Sequence, residues 1–160
     1  MLTFQELYES LSPDVYRFAL WLAGDQAEAS DITSETFIRA WVRRRTIRTE
    51  TLKAYLLAIA RNVYLEQRRK RRREVTLEDI YADPAAGPES QVASRLELER
   101  VRVALQTLPE INRTAFVLRV QHELPYAEIA RVLGLSLSAA KVKVHRVRKR
   151  LLAPRGEKEA

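Results

Sequence analysis

The sequence predicts an all-α protein made of two small helical units, and three observations predict it. Only four glycines and six prolines punctuate 160 residues, while the strong helix formers Ala, Leu, Arg and Glu are abundant. Apolar residues recur at intervals of three and four in segment after segment, the period of a helix that buries one face. Charge is distributed unevenly: a basic run closes the first half at 68–73, and an acidic stretch containing the turn-rich DPAAGP at 83–88 comes after it. At this length a chain stands between one ordinary domain and two small ones.

Thr3 and Glu6 have the spacing of a capping box, so a helix starts there. Ser12-Pro13 predicts a second start, with Val15, Phe18, Ala19 and Leu22 as its apolar stripe before Gly24. Asp25 and Glu28 repeat the cap spacing ahead of a third helix that turns Ile32, Thr36, Phe37, Ala40 and Trp41 inward and ends near Val42. The segment 43–51, with three consecutive arginines and no apolar stripe, reads as an exposed basic loop. From Leu52 the period returns, with Leu52, Tyr55, Leu56, Ile59 and Val63 inward, until the basic run. This closes a first unit over 1–73.

Between 74 and 110 eight acidic residues face three basic ones. The span 74–92 is the expected flexible linker, and the second unit covers 93–153, with a tail over 154–160. Here Leu98, Val101, Leu105 and Leu108 form one stripe, and Pro109 opens the next helix with Ile111, Ala115 and Leu118 inward. Two short helices complete it. Ile129, Ala130 and Leu133 share a face of the first, Gly134 suits a left-handed cap and Ser136 caps the second. In this last helix Leu137, Ala140, Val144, Val147 and Leu151 face the core. Ser138, Ala139, Val142, Lys143, Arg146 and Lys149 therefore point away, on a basic face that also carries Lys141 and His145. A short helix, a glycine turn and a helix with cations opposite its apolar stripe meet the needs of major-groove docking: charge for phosphates and long donors for base edges.

Composition excludes several classes of function. A net charge of +7 and a pI near 10.0 favour a polyanionic partner, nucleic acid or an acidic membrane surface. With no cysteine there is neither disulfide nor thiolate metal site, which suits a reducing cytosol. The N-terminal MLTFQELYES lacks the pattern of a signal peptide, and no stretch approaches the roughly 20 apolar residues of a membrane span. A cytoplasmic protein without membrane insertion is expected. His122 and His145 are the only histidines and have no carboxylate pair at ligand spacing, so neither a metal, a cofactor nor catalysis is expected.

DITSETFIRAW at 31–41, IARN at 59–62 ahead of the basic run, LP at 108–109, and YAEIA at 126–130 leading to KVKVHR at 141–146 occur in that order. Together they resemble a bacterial RNA polymerase sigma factor of the extracytoplasmic-function (ECF) group. The resemblance covers nearly the whole chain. It implies a region 2 helical bundle and a region 4 helix-turn-helix, joined by the linker. Region 2 would bind core polymerase and open the minus-ten promoter element, and region 4 would read the minus-thirty-five element. Asp31, Glu35 and Arg39, spaced i, i+4, i+8, would face the polymerase clamp, although Glu35 and Arg39 also suit a simple surface ion pair. The loop 43–51, with Arg43, Arg44, Arg45 and Arg48, would capture a flipped base of the melted strand, and Asn62 would help to read it. Arg61, Arg68 and Arg69 would hold phosphates. Tyr64 would either stack on unpaired bases or fill the core, and Tyr55 more readily the core. Ser138, Ala139, Lys141, Val142, Lys143, His145, Arg146 and Lys149 would face double-stranded promoter DNA. Partners would be the polymerase core, double-stranded and melted promoter DNA and an anti-sigma factor, with the chain a monomer.

The chain departs from the family pattern at Ser34 (usually Gln), Tyr55 (commonly Trp) and Pro125 (usually Ser). Ala139, Ala140 and Val142 replace the more usual Thr, Val and Ser, so base preference does not carry over. A conventional helix-turn-helix transcription regulator is the rival reading. It would not need the basic loop and basic helix end of the first half.

Overall fold

The computed structural model describes residues 3–46, 52–73 and 93–153. Its α-helices are α1 (Phe4–Ala23), α2 (Gln26–Val42), α3 (Leu52–Arg73), α4 (Ala93–Gln106), α5 (Glu110–Val120), α6 (Tyr126–Leu133) and α7 (Leu137–Leu152), with a 3-10 turn at Arg44–Thr46. The fold is all-helical, as the periodicity predicts. The expected linker 74–92 and the tail 154–160 lie outside the described residues.

Local chemistry sets the helix ends. The Thr3 hydroxyl accepts from the Glu6 N–H at 3.0 Å and Glu6 returns the bond to the Thr3 N–H at 3.1 Å, which completes the capping box. Gly24 closes α1 in the left-handed conformation, φ 72°, with its N–H on the Leu20 carbonyl. Between these ends the sequence predicts a break at Ser12-Pro13, but α1 is continuous, with Pro13 inside it. Proline there removes one hydrogen bond, to the Glu9 carbonyl, and both residues are exposed, so that carbonyl is open to solvent. Meanwhile Leu7 before it and Val15, Phe18, Ala19 and Leu22 after it are all buried on one stripe. Burial outweighs the local break, so α2 is the second helix and not the third.

The Asp25 carboxylate caps α2 through the Glu28 N–H at 2.8 Å, and Ile32, Thr36, Phe37 and Ala40 are buried as expected, with Trp41 half-buried. Thr33 and Thr36 donate their hydroxyls to the Ala29 and Ile32 carbonyls, 2.7 Å each, so neither buried oxygen is unpaired. α3 buries Ala54, Leu56, Leu57, Ala60, Val63 and Tyr64. The predicted inward residues Leu52, Tyr55 and Ile59 are only half-buried, because α3 is enclosed by α1, α2 and α6 and its buried face is rotated accordingly. α4 corrects a second expectation: Leu98 is 59% exposed. Residues 96–100 are all exposed, and Val101 is half-buried against the core.

The two predicted units do not stand apart. α3 packs on α6 and α1 on α5, and one continuous core runs from Phe18, Phe37, Leu56 and Leu57 to Leu105, Leu118, Ile129 and Val144. His122, just after α5, lies in this junction at 2% exposure. Its ring meets Phe18 edge to face with centroids 5.5 Å apart.

Candidate nucleic-acid interface

The turn between α6 and α7 is built from three residues. Gly134 takes φ 69°, the Leu135 N–H returns to the Ala130 carbonyl at 2.9 Å, and the Ser136 hydroxyl accepts from the Ala139 N–H at 3.1 Å. α7 then buries Ala140, Val144 and Val147. Leu137, predicted inward, is 47% exposed because it sits in the first turn, ahead of the packed stretch. Ser138, Lys141, Val142, His145, Arg146 and Lys149 are exposed, with Ala139 and Lys143 half-buried. Lys143 donates to the Asn112 side-chain carbonyl at 3.3 Å, so this cation is partly engaged within the fold. Arg148 and Arg150, also exposed, extend the basic surface beyond the predicted residues. They belong to the same charge run and were legible as such. No acidic residue occurs in α7, so its outward field is uniformly positive.

On the other unit Arg43, Arg44 and Arg45 are exposed. Arg44 lies over the Trp41 ring, 4.2 Å from its centroid, and donates to the Trp41 carbonyl at 2.9 Å. Arg48 lies outside the described residues. Along α3, Asn62 and Arg69 are exposed and Arg68 sits 5.1 Å from the Tyr64 ring centroid. Glu66, Arg69, Lys70 and Arg73 line a shallow surface cleft. Arg61 and Tyr64 are placed differently. Arg61 has 15% of its side chain exposed and grips Glu110 of α5, and Tyr64 is 4% exposed with its hydroxyl bonded to Arg113.

On α2, Asp31 is exposed while Glu35 and Arg39 are half-buried. The Arg39 Nε donates to Glu35 at 2.9 Å, and its two terminal nitrogens fork onto Glu66 of α3 at 3.1 and 2.7 Å. These bonds, Glu66 first, raise the Arg39 pKa, and the Arg39 bond holds the Glu66 carboxyl below the usual carboxylate range. Glu66 was missed from the sequence. It lies 27 residues from Arg39 and no local spacing links them.

A helical bundle bearing a basic loop, packed with a helix-turn-helix whose last helix exposes a basic face, defines a DNA-binding protein of the sigma-70 type. Residues 7–74 match the family model for Sigma-70 region 2 and residues 98–151 that for Sigma-70, region 4. The chain is 31% identical over 158 residues to the ECF RNA polymerase sigma factor SigM of Bacillus subtilis (strain 168), covering 95% of this chain and 94% of that protein. It is 34% identical over 143 residues to the ECF RNA polymerase sigma factor EcfG of Rhodopseudomonas palustris (strain TIE-1), covering 88% and 78%. Among solved structures it is similar to the sigma factor RpoE from Bartonella quintana, crystallised in complex with the anti-sigma factor NepR, with a TM-score of 0.79, 28% identity, and coverage of 92% of this chain and 93% of that one. The chain belongs to the ECF RNA polymerase sigma factors: it directs RNA polymerase to promoters and is a non-catalytic subunit. Among the described residues no helix is long and apolar enough to cross a membrane.

Proposed function

We propose that the two units divide promoter recognition between them. α7 reads the minus-thirty-five element through Ser138, Ala139, Lys141, Val142, Lys143, His145, Arg146 and Lys149. The loop 43–51 and α3, with Arg43, Arg44, Arg45, Arg48, Arg61, Asn62, Tyr64, Arg68 and Arg69, hold the melted minus-ten element. Asp31, Glu35 and Arg39 on α2 meet the polymerase clamp. The observation that carries this reading is the acid-free, exposed basic face of α7, opposite a buried stripe and behind a left-handed glycine turn. The chain acts in the cytoplasm as a monomer until it joins the core enzyme. An anti-sigma factor restrains it, a reading supported by the similarity to RpoE, which was crystallised with NepR.

The test is transcription in vitro with purified chain and bacterial core polymerase on a genomic fragment library, scored for start sites that depend on the chain. Within that assay Arg146→Ala will weaken binding to upstream-element duplex by about 1–3 kcal/mol for a lost bidentate base contact, measured by fluorescence anisotropy. Unaltered affinity would remove Arg146 from the base-reading set. Asp31→Lys will leave duplex binding intact and reduce association with core polymerase, measured by competition against another sigma factor. Full-strength competition by this variant would refute the clamp assignment.

A further inference from the structure

The first turns of α1 and the last turn of α2 bring Phe4, Tyr8 and Trp41 together. The Phe4 ring meets Trp41 edge to face with centroids 5.3 Å apart, and Tyr8 meets the buried Phe37 in the same way at 5.0 Å. Phe4 and Tyr8 are one helical turn apart, so they share a side of α1, their centroids 6.2 Å from each other. Each ring is thus held by a ring of α2. Holding does not bury them: Phe4 remains 37% exposed and Tyr8 41%. Arg44 completes the cluster. Its guanidinium lies over the half-buried Trp41 ring and is tied to the Trp41 carbonyl, while the residue itself is exposed, so a flat cation turns its outer face to solvent. The surrounding charge has one sign. From 36 to 49 the chain holds five arginines and no acid. On α1 the Glu6 carboxylate lies on the far side of the helix from Phe4 and accepts from the Thr3 N–H at 3.1 Å.

We propose that Phe4, Tyr8 and the Trp41–Arg44 pair form a stacking platform for unpaired bases of single-stranded DNA, a site beside the basic loop and apart from α3. It rests on the reading that Arg43, Arg44 and Arg45 meet the melted strand. Exposed rings among arginines fit a partner with flat apolar faces and negative charge together. An unpaired strand has both, whereas in a duplex the base faces are already stacked on one another. On the platform, base planes lie on Phe4 and Tyr8 and on the outer face of the Arg44 guanidinium, which Trp41 backs from behind. Every base has such a face, so the platform holds the strand unpaired without reading its sequence. Because neighbouring rings and the Trp41 carbonyl already orient these side chains, little further ordering is needed when bases arrive.

The test compares binding of the full-length chain to a short mixed-sequence single-stranded DNA and to an abasic strand of equal length, by fluorescence anisotropy. The unaltered chain will bind the base-bearing strand more tightly, and equal affinities would refute the platform. Phe4→Ala with Tyr8→Ala will weaken binding of the base-bearing strand about tenfold, within the range for one lost stacked base. It will leave the abasic strand unaffected. Arg44→Lys, which keeps the charge and removes the plane, will act in the same direction, and it disturbs no ring packing between α1 and α2. No loss in either variant, or equal losses on both strands, overturns the platform. Arg43→Ala with Arg45→Ala separates this from the reading beneath it, because lost phosphate contacts weaken both strands alike. If that pair weakens both while the ring and Arg44→Lys variants change nothing, the loop still meets the strand and the platform falls. If none of the substitutions changes either affinity, both fall. Intact strand binding with weakened competition for core polymerase would give the patch to the enzyme instead.

Discussion

Replacement of Phe18 by alanine will destabilise the chain by about 3–5 kcal/mol, the cost of removing a buried aromatic ring and leaving part of the space unfilled. The size is set by position. Phe18 is completely inaccessible on α1, belongs to the core shared by both units, and places its ring against His122 beyond α5. The cavity therefore opens inside region 2 and at its junction with region 4 together. Urea unfolding followed by circular dichroism will show the midpoint falling. A loss below about 1 kcal/mol would mean that the neighbouring helices close over the gap, far from the usual behaviour of a packed core.

Acidification from pH 7 to pH 5 will destabilise the folded chain through His122. Burial first, and then the positive charge of Lys53 on α3, push this histidine from 6.5 down to about 4; Asp14 opposes the shift and Arg17 reinforces it, both from α1. Linkage gives the sign. The native fold favours the neutral ring, so the unfolded chain binds more protons wherever pH lies below 6.5. Stability is therefore complete above that value, falls as pH drops, and loses nothing further from this group below about 4. Between pH 7 and pH 5 the loss is about 2 kcal/mol. Over that interval Glu66, Glu99 and Glu110, all held below the usual range, stay ionised. Unfolding free energies at the two pH values, compared with those of His122→Leu, isolate the contribution. The variant will have the flatter profile, and parallel profiles would exclude His122 as the source.

The candidate site was legible to different depths in its two halves. The basic face of α7 can be read from one helix and its period, because the direction of each side chain depends on its spacing from Ala140, Val144 and Val147, and the exposures agree with that spacing at nearly every position. On α3 the residue identities pointed to strand binding only through resemblance to a family, and the stripe read from Leu52, Tyr55 and Ile59 is rotated from the buried face. Tyr64 could have been stacked or buried on sequence grounds. It is buried in the core, and Arg113, 49 residues away, donates to its hydroxyl.

By itself the sequence determined the all-helical class and the capped helix ends. The Thr3–Glu6 box, the Asp25 and Ser136 caps and the left-handed Gly24 and Gly134 each depend on residues within a few positions, and the all-helical class comes from a period that repeats every turn. Only the tertiary structure decided that α1 runs through Pro13, that Leu98 and Leu137 face solvent, that His122 is buried, and that Arg39 and Arg61 are held by Glu66 and Glu110. The two arginine partners lie 27 and 49 residues away in sequence. Helical periodicity specifies which face of a helix is apolar but not which helix covers it. The burial of Phe18 and Leu118 in one core brings the two units together, and the polar pairs form where that packing leaves charges opposite one another.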